Sequence, residues 1–214
     1  MEEPVRQDAF EVRSRLSELG LDEAVLQDAV RQGFLAFVGC TSNHPPAIPG
    51  IWAWAETVRG LRDVLVPSGW LRSNEGNYSV VVNPVGTMAI AVATGDDATG
   101  LADRSPTTKA RKGPSTLYAV SSNQLQLGLF PNDESPLPSA PSVAGATDCM
   151  TWILLVHRTR GEVRCELSLP SSMGDGYIEA WHERILLTPV PIDSEVSVNV
   201  PDQPDIAIEI KRKA

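Results

Sequence analysis

The chain has 214 residues, 42% of them hydrophobic and 21% charged, a composition that supports a folded core in one large or two small domains. Its formal net charge of -9 excludes attraction of nucleic acid by the overall field, so contact with phosphate would need a local basic patch. No apolar run reaches ~18 residues and the N-terminal MEEPVRQDAFEV lacks the layout of a secretory leader, so no membrane contact is expected.

Three widely spaced cysteines (Cys40, Cys149, Cys165) do not make a disulfide framework. They fit a reducing compartment, and a cytoplasmic location is expected. No fixed-period repeat is present, which argues against solenoids and propellers.

Val5, Ala9, Val12, Leu16 and Leu19 have the spacing of one helix face and predict a first helix, closed by Gly20. Asp22 is a candidate N-cap for a second helix with Val25, Leu26, Ala29 and Val30 inward, ended by Gly33. The segment GCTSNHPPAIPG, Gly39 to Gly50, reads as a loop. Ile51, Ala55, Val58, Leu61 and Leu65 predict a third helix, stopped by Pro67 and Gly69. Trp52, Trp54 and Trp70 flank it; most of that aromatic area is expected in the core, and an exposed tryptophan there would mark a partner site.

After Trp70 the period changes. Two apolar runs around Asn83-Pro84-Val85-Gly86 predict a hairpin. In the second run Met88, Ile90 and Val92 alternate with small alanines, which suits a strand covered on both faces. Residues 116–129 predict a helix with Leu117, Val120, Leu125 and Leu129 among its apolar positions. A Pro- and Ser-rich flexible connector is expected at 131–148. TWILLVHR and EVRCELSLP around Thr159-Arg160-Gly161 predict a second hairpin, ERILLTPVPI a further strand, and Ile206, Ile208 and Ile210 a last, half-exposed one.

The expected fold is α+β, with N-terminal helices packed on a mostly antiparallel sheet of five or six strands. Residues 1–70 form a helical N-terminal segment and 71–214 a strand-rich one, within one compact domain.

The stretch closest to a functional signature is Gly95 to Thr116. Gly95-Asp96-Asp97-Ala98-Thr99-Gly100 matches half of a phosphate-binding loop, but Leu101 and Ala102 stand where Lys and Ser or Thr are needed. Further on, Lys109, Arg111 and Lys112 precede Ser115 and Thr116 at a predicted helix start, where backbone N–H groups beside cations can hold an anion. Asp96 and Asp97, with Asp103 nearby, offer oxygen ligands for a divalent metal.

Other matches are weaker. Pro204-Asp205 with Glu209-Ile210-Lys211 has the residues of a metal-dependent nuclease motif, but on one strand its two carboxylates would stand about 13 Å apart. Cys40 and His44 make only half a zinc site, and His182-Glu183 lacks the second histidine of a zinc protease. A helix-turn-helix around Gly20 would carry Glu23 and Asp28 on its recognition helix, against phosphate. No nucleophile–base set or cofactor motif stands out.

The favoured expectation is a non-catalytic cytoplasmic accessory or regulatory protein that binds another protein. The alternative is a phosphate-handling protein, nucleic-acid-binding or a metal-dependent nuclease, that uses the 95–116 loop.

Overall fold

The structure, a computed structural model, describes residues 4–128 and 149–192. In chain order they form β1 (Val5–Arg6), α1 (Ala9–Glu18), α2 (Glu23–Val38), α3 (Ile48–Leu65), β2 (Leu71–Ser73), β3 (Val80–Val82), β4 (Met88–Thr94), α4 (Pro114–Gln126), β5 (Met150–Arg158), β6 (Glu162–Gly174), β7 (Tyr177–Leu186) and β8 (Val190–Pro191). The fold is α+β. The connector expected at 131–148, Leu129, the strand expected at 206–210 and the Asp205/Glu209 motif lie outside the described residues.

One sheet runs in the order β1-β7-β6-β5-β4-β3-β2, with β8 pairing the start of β6. Among the described residues it has eight strands rather than the expected five or six; five of its seven pairings are antiparallel, as expected, and the other two make the sheet mixed. The pairs β4/β5 and β1/β7 are parallel. A parallel neighbour requires a long crossover, and the chain from Thr94 to Met150, with α4 in it, supplies one.

The first helix starts at Ala9 rather than Val5. Asp8 is extended and its carboxylate accepts the Phe10 and Glu11 amides, which fixes the helix start. Val5 and Arg6 instead pair with Arg184 and Ile185. Asp22 caps α2 as expected.

Gly33 does not end α2. It is a crossing point: a Cβ there would lie 2.0 Å from Thr57 Oγ1 and 2.5 Å from the Ala53 carbonyl oxygen of α3. Gly60 of α3 likewise sits against Ala29. Close approach outweighs the poor helix propensity of glycine.

Val12, Leu16, Leu26, Val30, Phe34, Leu61 and Leu65 of α1–α3 form one core with Ile90, Trp152, Leu154, Leu167 and Ile185 of the sheet. Trp70 belongs to it. The other sheet face buries Ile153, Leu155, Ile178 and Trp181 in one cluster and Val80, Val82, Ala89 and Ala91 in another. So β4 is covered on both faces, as its Met/Ile and Ala alternation suggests.

Helix α4 lies over β5 and β6 through Asn123. The β5/β6 ladder stops at Ile153 and Ser168, and Pro170 beyond it has no N–H to donate. The Asn123 side chain takes the Thr151 N–H (2.8 Å) and donates to the Thr151 and Pro170 carbonyls (2.9 and 3.2 Å). One side-chain amide thus replaces a missing rung of the ladder.

Both expected hairpins are present, β3–β4 through Asn83–Gly86 and β5–β6 through Thr159–Gly161. A third, β6–β7, turns at Asp175 and Gly176 with φ of 50° and 84°. The predicted strand ERILLTPVPI divides between the end of β7 and β8.

Candidate functional site

The loop between β4 and α4 is ordered by a buried ion pair. Glu166 on β6 and Arg184 on β7 are both fully buried, and Arg184 donates to the two carboxylate oxygens at 3.0 and 2.7 Å. The carboxylate also accepts from the Gly100 amide (2.8 Å) and the Ser168 hydroxyl (2.7 Å). Arg184 donates in addition to the carbonyls of Arg104 and Leu101. A buried charge is tolerated only when partnered in this way. The Trp181 indole N–H donates to the Pro106 carbonyl and the Thr107 hydroxyl to Ile178, which tie the middle of the loop to β7.

The residues read from the sequence as site candidates lie in this loop or, for Ser115 and Thr116, in the first turn of α4. Asp96 closes a local turn by accepting the Ala98 amide. Asp97 is exposed and pairs with Arg104 at 2.9 Å, whose hydrogen bond and charge hold its carboxyl below the usual range. Among the described residues no three His, Cys, Asp or Glu side chains form a group able to hold a metal.

Lys109 is exposed and its amide bonds to the Thr94 carbonyl. Arg111 donates to the Asp175 carbonyl and lies 6.0 Å from the Tyr177 ring centroid. The Lys112 amide bonds to the Gly176 carbonyl. Ser115 donates to the Gly76 carbonyl, and Thr116 is buried. Arg111 and Lys112 therefore lie at the β6–β7 turn, beside the start of α4, whereas Lys109 sits on the short bridge between Thr94–Asp96 and Thr107–Lys109. The α4 N-cap, Gly113, offers no side-chain hydrogen bond.

His157, at the carboxyl end of β5, approaches the Gly95 carbonyl at 3.4 Å beneath the same loop. Burial lowers its pKa, and Arg164 adds to that effect, while Gly95, Asp97 and Asp96 oppose it. Burial pushes the Cys165 thiol up to about 12, which makes it a core residue and not a nucleophile. A cleft of about 310 Å³ opens where Gln7, Glu23 and Leu101 meet Thr188. Its one carboxylate, Glu23, already accepts the Thr188 amide.

The second region is uncharged. No Asp, Glu, Lys or Arg occurs between Arg31 and Glu56, a run of 24 residues. It covers the end of α2, the Pro-rich loop and the first two turns of α3. Ala53 and Thr57 of α3 face α2. At 100° per residue the side opposite Ala53 and Thr57 presents Ile51, Ala55, Ile48 and Trp52, while Trp54 lies on the sheet-facing side in line with Leu61 and Leu65. Ile51, Trp52 and Trp54 are 47%, 46% and 38% exposed.

The two tryptophans are held in place. The Trp54 indole N–H donates to the Val92 carbonyl at 3.2 Å. The Trp52 ring meets His44 edge-on at 5.5 Å, and His44 Nδ1 in turn accepts the Thr41 amide. The neighbouring charges are already paired with one another, Arg59 with Glu56 and Asp63, and Arg31 with Asp28. Arg158 stacks on Phe37 at 4.4 Å.

Of the three tryptophans around α3 most of the aromatic area is covered, as expected, but only Trp70 is fully buried, and Trp52 and Trp54 remain 46% and 38% exposed. The sequence signal that finds this surface is the gap in charge, which helix periodicity does not register.

Comparison with known proteins adds no relative: no family model, curated protein or solved structure matches the chain. No described helix is long and apolar enough to cross a membrane.

Proposed function

We propose that the protein is a non-catalytic accessory or regulatory protein of the cytoplasm, and that it binds another protein through the first turns of α3. One observation carries this reading: rigidly held, half-exposed tryptophans inside a 24-residue run without charge. Loss of charge with gain of aromatic area distinguishes the centre of an interface from ordinary surface. Tryptophan is also the residue type richest in binding energy at such centres. The surrounding charges, Arg31 and Arg59 against Asp28, Glu56 and Asp63, are paired with one another, so the surface favours an apolar, weakly charged polypeptide. The three free cysteines fit a reducing compartment.

The test is a photo-crosslinking residue placed at Ile51 in the native cell, with Arg13 on α1 as the control position. The expected result is one dominant adduct from position 51 that position 13 does not give. Equal, diffuse labelling from both positions would count against the reading.

A second reading has one observation in its favour. The uncapped start of α4 beside Lys109, Arg111 and Lys112 has the elements of an anion site, which would make nucleic acid the partner. Nuclease treatment separates the two, since only the second requires nucleic acid for capture.

A further inference from the structure

A second uncharged surface lies on the other side of the sheet. No Asp, Glu, Lys or Arg occurs from Gly113 to Gly128. Thr116, Ala119, Val120 and Asn123 of α4 are buried against the sheet. At 100° per residue the opposite side carries Leu117, Tyr118, Ser121 and Leu125. Leu117 is 43% and Leu125 54% exposed. Ser121 is small and stands one turn from each leucine, so this face reads the same from either end.

The flanking charge suits a pair of helices better than a single one. Lys109, Arg111 and Lys112 precede the N-terminus of α4, where the helix dipole is already positive. The last turn has no basic residue to face its own C-terminal carbonyls. Antiparallel packing of two such helices sets the basic flank of one beside the electronegative end of the other.

We propose that α4 is the contact of a homodimer in which a second copy packs antiparallel about a two-fold axis at Ser121. Leu117 of each copy then meets Leu125 of the other, the reciprocal pattern that a two-fold contact requires. Identical surfaces repel unless they are uncharged or self-complementary, and α4 carries no charge on a chain of net charge -9. A serine at the crossing allows the helix axes the close approach of packed pairs, about 8–10 Å. Nothing in this contact uses the α3 surface, so the two stand or fall separately.

Sedimentation velocity of the full chain from low to high micromolar concentration tests it. The expected wild-type mass rises to twice 23.1 kDa, and the variant Leu117→Glu/Leu125→Glu stays at 23.1 kDa with an unchanged circular-dichroism spectrum. Because that variant could misfold, a second one decides independently. Ser121→Cys, in a Cys40→Ser/Cys149→Ser background, should crosslink to itself on oxidation, and Arg13→Cys in the same background should not. A wild type that stays monomeric overturns the proposal. So does a dimer that survives the leucine substitutions, or a Ser121→Cys chain that does not crosslink.

Discussion

The loop at 95–113 and the segment at 39–55 are both long connections, and their charges are disposed in opposite ways. The first is rich in charge, and much of it is engaged within the fold. Arg184 and Glu166 clamp the loop from below, Asp97 takes Arg104, and Arg111 takes Asp175. The second carries no charge, and its largest side chains face solvent. Charge in a loop is therefore a poor guide to what the loop offers a partner. A better guide is what remains after internal partners are assigned. In the loop Arg111 is engaged by the Asp175 carbonyl and the Tyr177 ring; in the other segment the rings of Trp52 and Trp54 are left half-exposed.

The largest effect expected from breaking this contrast is at the clamp. Arg184→Ala leaves Glu166 charged and alone in the core and should cost about 3–5 kcal/mol in urea unfolding. Loss of protection in hydrogen exchange should concentrate at residues 96–108. A cost below about 1 kcal/mol would mean that the pair does not hold the loop.

Next comes the helix crossing that sets α3 in position. Gly33→Ala drives a methyl into Thr57 Oγ1 and the Ala53 carbonyl, and should destabilise by about 1–3 kcal/mol. Asn123→Ala should cost a similar ~1–3 kcal/mol, because the Thr151 amide and two carbonyls lose their partner in a buried site.

A smaller effect is expected with pH. The folded pKa of His157 lies below its unfolded value, so the unfolded chain binds the proton more readily. Its contribution is therefore fully present above about pH 6.5 and is lost as pH falls below that. His157→Gln should flatten the decline in melting temperature between neutral and mildly acidic buffer. An unchanged slope would remove His157 from the account. The smallest stability effect belongs to Trp52→Ser, within about 0.5 kcal/mol of wild type, because the ring is half-exposed.

Much of the fold is legible in the sequence. Helices α2 and α3, two hairpins and the double-faced burial of β4 follow from period and turn chemistry. What escaped did so for physical reasons. Val5 and Arg6 are too short a strand to set a period, and only pairing with β7 defines them. Gly33 looks like a stop because its reason for being glycine is Thr57, 24 positions away. The Asp175-Gly176 turn was readable, but SSMGDGYIEAWHE around it lacks clean alternation where β6 and β7 slip register. In α4 the leucines mislead: Leu117 and Leu125 face outward, while the polar Thr116 and Asn123 are buried, Asn123 because its amide bonds to the backbone of β5 and β6.

Of the candidate site, the residues were legible and their partners were not. Nothing in Asp96 and Asp97 announces Arg104, and Glu166 and Arg184 meet only through the β6–β7 pairing. The charge gap from Arg31 to Glu56 was visible throughout. It becomes informative once the helix face that is left outside is known.

The most direct test is a tagged capture from the native cell that compares three chains, each with and without nuclease. They are wild type, Trp52→Glu, and Lys109→Glu/Arg111→Glu/Lys112→Glu. The expected result is a protein partner held by wild type and by the triple variant, lost with Trp52→Glu, and indifferent to nuclease. Retention by Trp52→Glu, with loss in the triple variant and on nuclease treatment, would contradict it and give the function to the basic end of the loop.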